Sequence, residues 1–142
     1  MSYLLDTNVV SELVASRPNA NVVDWLDAVD AEQVFLSVIT VGELKGGIER
    51  LPDSRRRRRL INWLNGDLLV RFGDRVLPID TQVALAWGTL VAETRAAGTP
   101  IPAIDSLLAA TAAVYGLTLV TRNVGDFEAT GIPLLNPWQD NP

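Results

Sequence analysis

The chain of 142 residues contains no cysteine and no histidine. The first absence removes disulfides and thiol nucleophiles; the two together remove Cys/His zinc sites and imidazole acid-base catalysis. Any catalysis must come from carboxylates, hydroxyls, Lys45, arginines or a bound metal. Long hydrophobic runs are missing too. Charges or glycines interrupt the apolar stretches within about a dozen residues, short of the roughly 20 needed to span a bilayer. The N-terminus lacks the basic flank and cleavage pattern of a signal peptide. The expectation is a cytoplasmic protein with no membrane partner.

What is present suits one ordinary domain, 1–142: hydrophobic side chains make up 48% of the sequence, enough for a sizeable core. The formal net charge of -5 argues against nonspecific nucleic-acid binding by bulk charge, but five of the 12 basic residues form the run Arg55 to Arg59. The charge is patchy, so its overall sign misleads.

Hydrophobic spacing alternates between strand and helix. Strands are predicted at residues 2 to 6, Val34 to Ser37, Val76 to Ile79, Leu117 to Thr121 and, at an edge, near Pro133 to Leu135. Helices are predicted from about Thr7 to Val14, around Val22 to Val29, from Ile39 to Arg50, from the arginine run to Leu64, from Asp80 to Ala97 and from Ala103 to Tyr115. A short helical turn is predicted at Asp126-Phe127. Ser54 reads as a helix N-cap and Gly116 as a C-terminal stop. This alternation predicts an α/β fold, a parallel sheet covered on both faces by right-handed crossovers. The tail from Asn136 to Pro142 is expected to lie on the surface or fray.

Four acids stand where such a fold builds its sites. Asp6 follows the first strand in Leu4-Leu5-Asp6-Thr7-Asn8, and Asp126 follows the fourth in Thr121-Arg122-Asn123-Val124-Gly125-Asp126-Phe127. Carboxyl ends of parallel strands are where α/β sheets place ligands. Glu43 lies in a mostly apolar stretch after the second strand, where partial burial is expected. Asp105 opens an Ala-rich helix that is apolar nearly all round, as in a helix packed inside a fold. Each acid also has a plainer reading. An Asp between strand and helix caps the helix, an acid in a first turn answers the helix dipole, a Glu on a helix lies on its outer face, and Asn123 to Asp126 forms a turn. Asp80, in the matching context Pro78-Ile79-Asp80-Thr81, is read as a cap.

If the four acids converge, repulsion decides the chemistry. Two unit charges about 4 Å apart at an effective dielectric of about 20 cost on the order of 4 kcal/mol. A divalent cation resolves that cost, and oxygen-only donors select a hard ion such as Mg²⁺ or Mn²⁺. Such an ion activates water and steadies a leaving oxygen in phosphodiester cleavage.

The segments around these acids, with Ile39-Thr40-Val41-Gly42-Glu43-Leu44 and Pro102-Ala103-Ile104-Asp105-Ser106, resemble in order and spacing the successive motifs of the PIN-domain ribonucleases. The closing Asn136-Pro137-Trp138 is similar to the FitB-like branch of the VapC toxins. The resemblance implies a three-layer α/β/α sandwich with a central parallel sheet. It also implies a Mg²⁺- or Mn²⁺-dependent endoribonuclease, the toxin of a type II toxin-antitoxin pair. Asp6 and Asp105 would be the principal metal ligands, with Glu43 and Asp126 completing the catalytic site. Thr7, Asn8, Thr121 and Asn123 would orient ligands or water. The implied partners are an RNA substrate, a second copy of the chain and a small VapB-like antitoxin, in a heterotetramer or larger assembly. The antitoxin's C-terminal segment would cross the acidic groove.

Arginines at a helix start oppose its dipole. The run therefore reads either as a solvated face or as a phosphate-binding element, with Arg56 and Arg58 as its contacts. Lys45 and Arg122 are further candidates for the RNA backbone, while Trp63 and Trp87 belong to apolar patterns and read as core. Two other functions are weighed. A housekeeping or flap-type nuclease on a related fold usually needs extra DNA-binding segments, and a noncatalytic binding module, whose acids would only hold a partner's arginines, is disfavoured by the four intact acids.

Overall fold

The computed structural model describes residues 1–139; the last three residues of the expected surface tail lie outside the described residues. Five strands, Tyr3–Leu5 (β1), Val34–Ser37 (β2), Val76–Leu77 (β3), Thr118–Val120 (β4) and Leu134–Leu135 (β5), form one sheet in the order β3-β2-β1-β4-β5. Every pairing is parallel, and β1 is central: Tyr3 registers with Val34 on one side and with Thr118 on the other.

Alternation along the strands sorts the core onto two faces. Leu5 and Val120 join one buried cluster with Val9, Val22, Leu44 and Leu64. Their neighbours Leu4 and Leu119 join a second with Leu108, Ala112 and Phe127. The first cluster is covered by Thr7–Ser11 (α1), Ala20–Ala28 (α2), Val38–Glu49 (α3) and Arg55–Trp63 (α4), and the second by Thr81–Ala96 (α6) and Ala103–Tyr115 (α7). The result is the expected three-layer α/β/α sandwich. Among the described residues no helix is long and apolar enough to cross a membrane.

Two elements depart from the sequence reading. Helix α4 does not stop at Leu64 but runs through a π turn, Leu64–Leu68, into Leu69–Phe72 (α5). The wider turn takes up an extra residue. Asn65, Gly66 and Asp67 face solvent while Leu64, Leu68 and Phe72 stay buried. Strand β3 ends at Leu77 instead of Ile79, because Pro78 has no N–H for the ladder. Gly116 ends α7 in the left-handed region at φ 65°, as its position predicts.

Candidate metal centre

Asp6 is held at the carboxyl edge of the sheet by its own backbone, whose N–H donates to the Val120 carbonyl at 2.9 Å. Its side chain both caps α1 and faces the neighbouring strand exit. Oδ1 accepts from the Thr7 N–H at 2.7 Å; Oδ2 accepts from the Thr121 hydroxyl at 2.8 Å and from Asn8 Nδ2 at 3.4 Å. The cap reading and the site reading of Asp6 are therefore compatible. Asp6 is only 8% exposed and Thr121 is fully buried.

The small polar residues named from the sequence gather around this carboxylate. The Thr121 hydroxyl accepts from the Asn123 N–H at 3.0 Å and from Asn8 Nδ2 at 3.4 Å, and Asn8 Oδ1 accepts from the Arg122 N–H at 3.4 Å. Asn123 thus enters the network through its backbone. Thr7 serves two acids, giving its N–H to Asp6 and its hydroxyl to Glu43 Oε1 at 2.6 Å.

Glu43 corrects one expectation, because it is exposed and not partly buried. Helix α3 starts directly at the end of β2 and turns Thr40, Leu44 and Ile48 inward, which leaves Glu43 on the outer face. Its apolar neighbours mislead, since Val38 is itself 40% exposed. Asp105, half-buried in the first turn of α7, and Asp126, exposed on the short helical segment Val124–Thr130, line one open groove of about 670 Å³. Thr7 and Glu43 line a second of about 450 Å³, together with Arg50 and Arg56.

The four acids share one electrostatic field. Burial raises Asp6 above its ordinary value, with the charges of Glu43 and Asp126 adding to the effect; hydrogen bonds from Thr121 and Thr7 oppose it. Burial also raises Asp105, helped by the charges of Asp6, Asp126 and Glu43. Among the described residues none of the four is ion-paired with a lysine or arginine; the pairs are Lys45–Glu49, Arg57–Glu49, Arg58–Asp53 and Arg71–Asp67. Lys45 and Arg58, both named as RNA contacts, are thus engaged with acids outside the centre. Arg56 is exposed and borders the Glu43 groove.

The donor chemistry fits a hard dication: oxygen only, mutually repelling and, among the described residues, without an ion-paired countercharge. Among the described residues no three acids are yet drawn into a group that could hold one ion.

Outside the centre, Asp80 is a cap. It accepts from the Val83 N–H at 2.9 Å and from the Tyr115 hydroxyl at 2.8 Å. Ser54 caps α4 through the Arg57 N–H at 3.2 Å. Trp63 packs half-buried against the first cluster, and Trp87 Nε1 donates to Ser106 Oγ at 2.9 Å. Arg50, absent from the sequence candidates, borders the Glu43 groove. The available signal was spacing, as a residue seven beyond Glu43 returns to nearly the same helix face.

Comparison with known proteins accords with this architecture. The family model described as "PIN domain" matches residues 3–132. The VapC ribonuclease Y4jK of Sinorhizobium fredii is 39% identical over 136 residues, covering 96% of this chain and 97% of its own length. Toxin FitB of Neisseria gonorrhoeae is 40% identical over 137 residues, covering 96% and 99%. A structure of FitAB bound to the IR36 DNA fragment superposes with a TM-score of 0.94 at 36% identity, covering 99% of this chain and 98% of the matched one. The chain belongs to the PIN domain family.

Proposed function

We propose that this chain, taken as one domain over residues 1–142, is an endoribonuclease that acts as the toxin of a type II toxin-antitoxin pair, with Mg²⁺ or Mn²⁺ as cofactor. What supports the reading is that Asp6 and Asp105 are both raised by the charges of the other acids of the set, and that among the described residues none of the four is ion-paired with a lysine or arginine. The chain also resembles, over nearly its whole length, a VapC ribonuclease and the toxin FitB. Asp6 and Asp105 are the proposed principal ligands, with Glu43 and Asp126 completing the set. The bound ion would supply a water acidified for attack and positive charge on the phosphoryl oxygens.

The protein's own residues do the positioning. Thr121 and the Thr7 N–H fix the orientation of the Asp6 carboxylate, which would be one of the groups holding the ion. Thr7 also holds Glu43 near the same edge. The proposed partners are a second copy of this chain and a small antitoxin, the latter by likeness to the FitAB complex. The same acidic edge would attract a basic antitoxin side chain.

The test is RNA cleavage by the purified chain with Mg²⁺, with EDTA and with a co-purified antitoxin from the neighbouring reading frame. Cleavage that needs the metal and is silenced by the antitoxin supports the reading. Metal-independent cleavage, or none, defeats it.

A further inference from the structure

Arg122 directly follows Thr121, whose hydroxyl holds Asp6, yet its guanidinium forms no ion pair with an acid among the described residues. It lies over the ring of Trp138, 5.5 Å from the centroid. The surrounding backbone is built to keep it there. The Arg122 N–H donates to Asn8 Oδ1 at 3.4 Å, and its carbonyl accepts from Asn136 Nδ2 at 3.4 Å. Asn136 Oδ1 accepts from the Trp138 N–H at 2.9 Å, and the Trp138 carbonyl accepts from Asn21 Nδ2 at 3.0 Å. Pro137 is buried, and the Trp138 side chain packs against the first core cluster. The segment Asn136-Pro137-Trp138 is therefore a fixed floor beneath an exposed arginine.

We infer that Arg122 is a phosphate-positioning residue for the RNA strand, and that Trp138 is the backstop that keeps its guanidinium from folding onto the acids. This rests on the ribonuclease reading above. Acids at the centre and a net charge of -5 repel a phosphodiester. A substrate therefore needs local positive charge that the acids do not consume. Arginine's planar fork suits phosphate oxygens, and its flat cation stacks on an aromatic face. Placed over Trp138, the cation stays beside the site without neutralising it.

The experiment measures binding of a labelled single-stranded RNA across a salt series, with Ca²⁺ in place of Mg²⁺, and steady-state cleavage with Mg²⁺. Arg122→Ala should weaken binding roughly tenfold and make the salt dependence shallower by about 0.7, the contribution of one phosphate on a single strand. KM should rise with kcat nearly unchanged, the signature of lost uniform binding. Arg122 is exposed, so its removal leaves folding intact. Trp138→Phe should keep the wild-type slope, and Trp138→Leu should shift it toward that of Arg122→Ala. Adding Arg122→Ala to Trp138→Leu should cost little more. An unchanged slope and KM in Arg122→Ala overturns the inference, as does a loss confined to kcat or to antitoxin binding. A wild-type chain that cleaves no RNA overturns the ribonuclease reading itself.

Discussion

Thr121 gives Asp6 a buried hydroxyl hydrogen at 2.8 Å, across 115 positions of the chain. The same hydroxyl accepts from the Asn123 N–H, so one oxygen supports both the carboxylate and the loop beyond β4. Thr121→Val keeps the shape and removes both of these bonds together with the one accepted from Asn8 Nδ2. Stranding buried polar groups costs about 1–3 kcal/mol, and the loss of a group that orients a ligand lowers activity on the order of 10–100-fold. Thr121→Ser should restore both properties. Urea denaturation and RNA cleavage read the two effects; a valine variant equal to wild type in both would remove Thr121 from the site.

Asp6→Asn and Asp105→Asn should each abolish cleavage while the chain still folds. Asparagine at position 6 can still accept from the Thr7 N–H, and it removes a charge that burial penalises. Melts followed by circular dichroism should show a melting temperature at or above that of wild type. Full activity in either variant would dismiss the carboxylate mechanism.

Metal should stabilise the fold. Binding to the native state alone adds about 2.7 kcal/mol at a ligand concentration of about 100 times Kd, so Mg²⁺ should raise the melting temperature and EDTA should reverse the rise. The pH dependence has a defined sign. Asp6 and Asp105 titrate above their ordinary values, so in metal-free protein their stabilising contribution is complete below the ordinary Asp range. It disappears as pH rises through the raised folded values. The Mg²⁺ shift should therefore be larger near neutral pH than in mildly acidic buffer. A shift that is independent of pH, or retained in Asp105→Asn, would place the ion elsewhere.

Asp80 is the control for Asp6. Its carboxyl sits below the usual Asp value because the Val83 N–H and the Tyr115 hydroxyl bond to it. Its contribution is therefore present above the ordinary Asp range and is lost as pH falls through the lowered folded value. Asp80→Ala should lower the melting temperature by a few degrees near neutral pH and by less in acid, as expected for a lost cap. RNA cleavage at a temperature where both proteins are folded should not change.

Asp6 and Asp80 also mark how far the sequence could be read. Both follow a strand, both cap a helix, and local pattern does not separate them; only Asp6 has β4 beside it, and that neighbour comes from sheet order. The strands themselves were legible because Leu4, Leu5, Leu119 and Val120 are apolar on both faces, as a buried parallel sheet demands. Glu43 was misjudged because burial was inferred from the flanking residues, whereas the phase of the helix decides which of them faces inward. The π turn at Leu64–Leu68 escaped for a related reason: it is a local change of period that the regular 3.6-residue template cannot contain. Arg58 reads in sequence as a phosphate contact, but Asp53, five positions earlier, folds back to meet it. The Arg122–Trp138 contact depends on a loop return from β5, and no local rule encodes it.

The position of β1 between β2 and β4 also sets the order in which the chain becomes dangerous during synthesis. A polypeptide leaving the ribosome exposes Asp6 and Glu43 early. Asp105, β4 and Asp126 arrive only near the end of translation. Until β4 docks, Asp6 lacks Thr121, and Asp126 has yet to follow it. On the proposed chemistry, a chain that has not yet formed β4 and the Val124–Thr130 segment lacks part of the acidic set and should cut no RNA.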